Sequence, residues 1–165
     1  MQAFRSLIGE WHGEGEFPDP PMKMSAEATI EPMGHFIVFW SVAEPAELPD
    51  SLSIIGGAPE GEPQPMHYFD ARGVKRLFLT TIEGSTWRIW RAPGEDWNGP
   101  DGPGFNQRFI GKISADGNTI EGRWERGMGD AGDQWELDFP FSYVRSSGPS
   151  RPSSPAGQRR HPPSS

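Results

Sequence analysis

Residues 7–17 read LIGEWHGEGEF, and the reading of this stretch decides the fold. Gly9, Trp11, Gly13 and Gly15 alternate with Glu10, His12, Glu14 and Glu16. A strand here would carry three glycines and a tryptophan on one face and charge on the other. Glycine weakens a strand interior unless the chain must bend or another backbone comes close. A tryptophan on that same face needs something large to bury against. Both demands are met if the strand bends sharply, pairs with the last strand of its own sheet and turns Trp11 inward.

The rest of the chain supports a sheet long enough to close. Residues 3–7 suggest one helical turn with Phe4 and Leu7 on its apolar side, and from there the hydrophobic period is 2. In KMSAEATIEP, Met24, Ala26, Ala28 and Ile30 share a face opposite Lys23, Ser25, Glu27 and Thr29. HFIVFWSVA is apolar on both faces, as a fully covered strand would be. SLSIIGG, MHYFD, VKRLFLTTI, STWRIWR, QRFIGKIS, TIEGRWE and QWELDFPFSYVR follow, making ten strands with the first. Asp70-Ala71-Arg72-Gly73, Glu83-Gly84 and Asp116-Gly117-Asn118 read as tight turns. Residues 93–105, rich in Gly and Pro and carrying Trp97, form a longer loop that suits a lid. Such a meander removes its exposed edges by closing on itself. The fold expected is all-β, a ten-stranded antiparallel up-and-down barrel over residues 1–145. The Ser/Pro/Arg-rich segment 146–165 holds seven serines and five prolines and reads as a disordered tail.

Composition narrows the function. The net charge is −8, and since the tail contributes three arginines and no acid, residues 1–145 carry −8 − 3 = −11. An acidic body is a poor match for nucleic acid, even though Arg88, Arg91 and Arg108 interleave with aromatics. No run approaches the roughly 20 apolar residues of a membrane helix, and the N-terminus lacks a signal-peptide pattern. The chain has no cysteine, which is compatible with a reducing cytosol. The expectation is a cytoplasmic protein, monomer or homodimer, with no nucleic-acid or membrane partner.

Arg145 ends the last strand and shares the parity of Trp135, Leu137, Phe139, Phe141 and Tyr143. It therefore points inward near the rim, where a cation–π contact with Trp11 would be worth roughly 0.5–2 kcal/mol. Gly9, Trp11, Gly13, Gly15 and Arg145 are thus the residues expected to close the barrel. A G-x-W in the first strand with an arginine ending the last resembles the lipocalins and their calycin relatives. The fuller G-x-W-x-G-x-G run, with FNQRFIGKISADGNTIEGRWE and WELDFPFSYVR downstream, looks like the ten-stranded nitrobindin-type barrels and uncharacterised bacterial lipocalin-like proteins. The resemblance covers about residues 3–145. It implies a ligand-holding barrel and, in nitrobindins, haem b bound through a histidine near the C-terminal end of the barrel. Here residues 118–126 and 134–145 contain no histidine, so haem b has no matching axial ligand and no cofactor is expected.

No catalytic motif is evident. His12 with two of Glu10, Glu14 and Glu16 has metal-ligand chemistry, but a solvated acidic face explains the same pattern and no metal is expected. The strand parity lines the interior with Trp40, Trp87, Phe109, Trp124, Trp135, Phe139 and Tyr143, with Gln107 and His67 as polar groups. The leading expectation is non-catalytic binding of a small apolar or aromatic ligand there. Alternatives are a haem-binding nitrobindin-type barrel, or a barrel enzyme of isomerase or cyclase type using His67, Gln107 or Tyr143 as acid–base groups. The same side chains would also suffice simply to fill the interior.

Overall fold

The structure, a computed structural model of the chain, describes residues 1–92, 104–128 and 132–146. The parts of the 93–105 loop up to residue 103, Trp97 among them, and of the tail from residue 147 lie outside the described residues. A 3-10 turn, Gln2–Leu7, precedes ten strands: β1 (Gly9–Pro18), β2 (Pro21–Met33), β3 (Phe36–Glu44), β4 (Ser51–Ile55), β5 (Gln64–Asp70), β6 (Lys75–Glu83), β7 (Thr86–Arg91), β8 (Asn106–Ile113), β9 (Thr119–Met128) and β10 (Gln134–Arg145). Each pairs antiparallel with its chain neighbour, and β1 pairs with β10 to close the barrel. The expected fold class is borne out.

One end of the barrel is shut by the residues that posed the first question. Trp11 is 1% exposed, and its indole Nε1–H donates to the Leu7 carbonyl at 2.8 Å. Phe4 and Leu7 of the 3-10 turn are buried beneath it. Trp11 stands opposite Arg145 in the β1–β10 register, and the guanidinium lies 4.2 Å from the indole centroid. The same guanidinium donates to the carbonyls of Ile8 (2.6 Å), Ser6 (3.0 Å) and Gly117 (3.0 and 3.2 Å). One side chain therefore joins the turn, both ends of the sheet and the β8–β9 hairpin.

The glycines of β1 make room for side chains. A Cβ on Gly13 would sit 2.6 Å from the Phe141 ring, and one on Gly15 would sit 2.5 Å from that ring and 2.7 Å from the Pro140 carbonyl. At Gly9 the space is taken by the Arg145 guanidinium, and φ is +141°, a region L side chains rarely adopt. The β1–β10 seam is thus a smooth backbone face with Phe141 and Arg145 laid across it.

β10 departs from regular parity. The register with β9 shifts between Leu137 and Phe139, leaving Asp138 as the extra residue of a bulge. Phe139, Phe141 and Tyr143 face inward, whereas Trp135 and Leu137 face out. Trp135 does not line the interior as its spacing predicts; it lies under Arg108, whose guanidinium is 4.0 Å from the ring, on the outer wall. Arg108 also bonds Glu125, which Arg123 holds from the other side.

On the outer face of β1 and β2, His12 bonds Glu27 through Nδ1 at 2.5 Å and Glu14 through Nε2 at 3.3 Å. Among the described residues no three His, Asp or Glu side chains are placed to hold a metal ion. The bonds to Glu27 and Glu14 raise the His12 pKa above its ordinary 6.5. The contribution of this group to stability is then fully present below about 6.5 and is lost as pH rises through the folded-state value. NMR titration is expected to place the His12 midpoint above 6.5, with Glu27→Gln lowering it; a midpoint at or below 6.5 contradicts the geometry.

Candidate functional site

The inner surface divides into two unlike halves. On β2, β3 and β4 the inward positions include Ala26, Ser41, Ala43, Ser51 and Ser53, beside the larger Met24 and Phe39. On β6 to β10 they include Phe78, Trp87, Phe109, Trp124, Phe141 and Tyr143. Large rings against small side chains leave a cavity of about 250 Å³ between them. It lies toward the end of the barrel away from Trp11, where Phe17, Leu48, Pro49 and Arg76 border it.

The aromatic half is a packed wall. Trp87 and Phe109 have centroids 5.2 Å apart at 70°, Phe109 and Trp124 are 5.5 Å apart, and Phe141 and Tyr143 are 4.9 Å apart at 64°. Offset and edge-on contacts of this kind add roughly 0.5–1.5 kcal/mol each beyond burial. The indole N–H of Trp87 is satisfied inside the protein, donating to Thr80 Oγ1 at 2.9 Å, while that hydroxyl donates to the Arg88 carbonyl at 2.8 Å.

The polar groups facing the cavity differ in their partners. Tyr68 donates its hydroxyl to Asp70 at 3.1 Å; burial, with the Asp70 charge beside it, pushes the phenol up to about 12. Burial likewise raises the Tyr143 phenol well above its ordinary value, so it stays protonated at neutral pH. The Tyr143 hydroxyl, the Gln107 carboxamide and the hydroxyls of Ser41, Ser51 and Ser53 line the cavity without a hydrogen bond to another group among the described residues. Of the described lining residues Arg76 has the one formal charge; its guanidinium lies 5.8 Å from the Tyr68 centroid.

Most expected site residues meet here. Trp87, Gln107, Phe109, Trp124, Phe139 and Tyr143 all line the cavity. Two do not. Trp40 is 49% exposed on the outer wall, in a row with Leu52 and Phe69 across β3, β4 and β5. His67 is exposed on the same outer wall, beside Ile54 and Leu77, while Met66 and Tyr68 face in. His67, Gln107 and Tyr143 are therefore not brought together, and no carboxylate or imidazole is among the described residues that line the cavity. The three serines were missed by the sequence reading. Their signal was present: they alternate with Trp40, Val42, Leu52 and Ile54, a pattern that ordinarily places serine outside.

Among the described residues no helix is long and apolar enough to cross a membrane. No protein-family profile matches the chain, and no curated protein matches it significantly. Among solved structures the chain is similar to Rv2717c from M. tuberculosis, with a TM-score of 0.61 and 14% identity over 88% of this chain and 96% of that one. Identity this low carries the likeness of the barrel and nothing of its contents.

Proposed function

We propose that this barrel binds a small, largely apolar molecule in its interior without transforming it. The observation that supports this most is the cavity of about 250 Å³ between the aromatic and the small-residue walls. A barrel whose side chains only filled it would have no reason to set alanines and serines opposite a complete aromatic wall. Ligand sites are commonly apolar with a few placed polar groups, and this interior has that balance. The absence of a carboxylate or imidazole from the described lining weighs against acid–base chemistry.

Haem suits these residues poorly. His12, His35 and His67 are not among the described residues that line the cavity, so none of them faces it as an axial ligand. The volume also lies below the roughly 300–1,000 Å³ usual for drug-sized ligands.

Titration with a panel of fatty acids, flavins, haemin and two-ring aromatics tests the reading. A bound two-ring aromatic is expected to raise the melting temperature, a ligand at 100 times its Kd contributing about 2.7 kcal/mol. It is also expected to quench emission from Trp87 and Trp124. A panel in which no compound shifts either signal removes the proposal; a displaced Soret band with haemin replaces it with haem binding.

A further inference from the structure

Over residues 40–42 and 51–54, β3 and β4 are built inside out, although Ile37, Phe39 and Ile55 beside them are buried in the core. Trp40, Val42, Leu52 and Ile54 face outward, with Trp40 49% and Val42 57% exposed, while Ser41, Ser51 and Ser53 face the cavity. Burying a hydroxyl without a partner costs free energy, and an alanine in each place would avoid that cost with almost the same shape. Ser53 is 3% exposed and Ser41 and Ser51 are half-buried, so the cost falls chiefly at Ser53. The three hydroxyls are also grouped. Ser41 and Ser51 stand opposite each other in the β3–β4 register, about 5 Å apart across the strands. Ser53 lies two residues along β4 from Ser51, about 7 Å away on the same face. Across the cavity the Tyr143 hydroxyl and the Gln107 carboxamide are two more groups without a described partner.

We infer that the serine trio reads oxygen atoms along one edge of a flat, uncharged aromatic ligand, in the manner of a hydroxylated two-ring phenol. This rests on the cavity being a binding site, as proposed above. The ring faces of such a ligand meet Trp87, Phe109 and Trp124, and its oxygens meet hydroxyls that both donate and accept. A fatty acid matches less well, because its chain offers nothing for three serines set along one side of the cavity. A serine site also discriminates in a way an apolar wall cannot: a ligand lacking the oxygens leaves buried hydroxyls unpaired.

Calorimetric titration with naphthalene and with 2,7-dihydroxynaphthalene, on the full chain and on Ser41→Ala/Ser51→Ala/Ser53→Ala, separates the two claims. The native protein is expected to bind the diol more tightly than the hydrocarbon, on the order of tenfold. The triple variant is expected to lose that preference, to keep its affinity for naphthalene, and to melt no lower than the native protein. Equal binding of the two compounds by the native protein, or a preference that survives the substitutions, overturns the serine assignment and leaves the cavity proposal standing. Failure of both compounds to bind overturns both. A fall in melting temperature of the variant shows the serines to be structural and overturns the assignment as well.

Discussion

Trp11→Ala is expected to lower stability by about 3–5 kcal/mol, the usual cost of removing a fully buried indole. In a chain of this size that corresponds to a fall in melting temperature on the order of 10 °C. The reason is local. Trp11 is 1% exposed, its N–H holds the Leu7 carbonyl, and its ring is the surface on which Arg145 rests. The substitution leaves a cavity under the 3-10 turn and exposes one face of a guanidinium whose other bonds go to Ile8, Ser6 and Gly117. Chemical denaturation of Trp11→Ala, Arg145→Met and the double variant measures the pair directly. The coupling energy is expected to fall at about 0.5–2 kcal/mol. Additive single effects would show that the two side chains stabilise the floor independently.

Gly13→Val is expected to destabilise by about 1–3 kcal/mol, although valine is the better strand former. Two effects oppose each other. Replacing glycine in a strand gains roughly 0.5–1 kcal/mol from the reduced freedom of the unfolded chain. Against this, the new Cβ would lie 2.6 and 2.8 Å from Phe141 ring atoms, and Phe141 is itself 7% exposed and wedged against Tyr143. The ring can retreat only inward, toward the cavity it lines, at the loss of its edge-on contact with Tyr143, so the clash wins. Combining Gly13→Val with Phe141→Leu is expected to cost less than the two changes summed. A stabilised Gly13→Val would mean that β1 and β10 can separate enough to accept it.

The ends of the barrel were easier to read from sequence than its middle. Gly9, Trp11, Gly13, Gly15 and Arg145 are a mixture of residue types that few other arrangements accommodate, and the structure places them on one seam. The strand count and order followed from turn residues such as Gly84 and Gly117, both at positive φ. Which side of each strand faces in was harder. β3 begins FIVFW, with bulk on both faces, so hydrophobicity alone does not choose between Phe39 and Trp40. The choice is made by pairing: Phe39 stands beside Ser53 and Ile30, in rows that continue inward, while Trp40 stands beside Leu52 and Thr29. β5 poses the same ambiguity between Tyr68 and Phe69. In β10 the bulge at Asp138 is marked only by that aspartate and by Pro140 two residues on, and it moves Trp135 from the expected inside to the outer wall. The small-residue wall was overlooked because serine between bulky apolar neighbours is the ordinary signature of an exposed position.

Nine of the ten seams join strands that follow one another along the chain, and the tenth joins β1 to β10. The nine require only neighbouring segments to meet, but Trp11 and Arg145 must find each other across nearly the whole described length. The logarithmic dependence of chain entropy on separation adds about 2 kcal/mol to that last encounter relative to a hairpin. On chain entropy alone the β1–β10 seam is expected to form last, a ribbon zipped from within and buttoned at its margins by the guanidinium of Arg145. A chain with that seam open would show two unpaired borders and a greasy concave side, the features by which one chain most readily adheres to another.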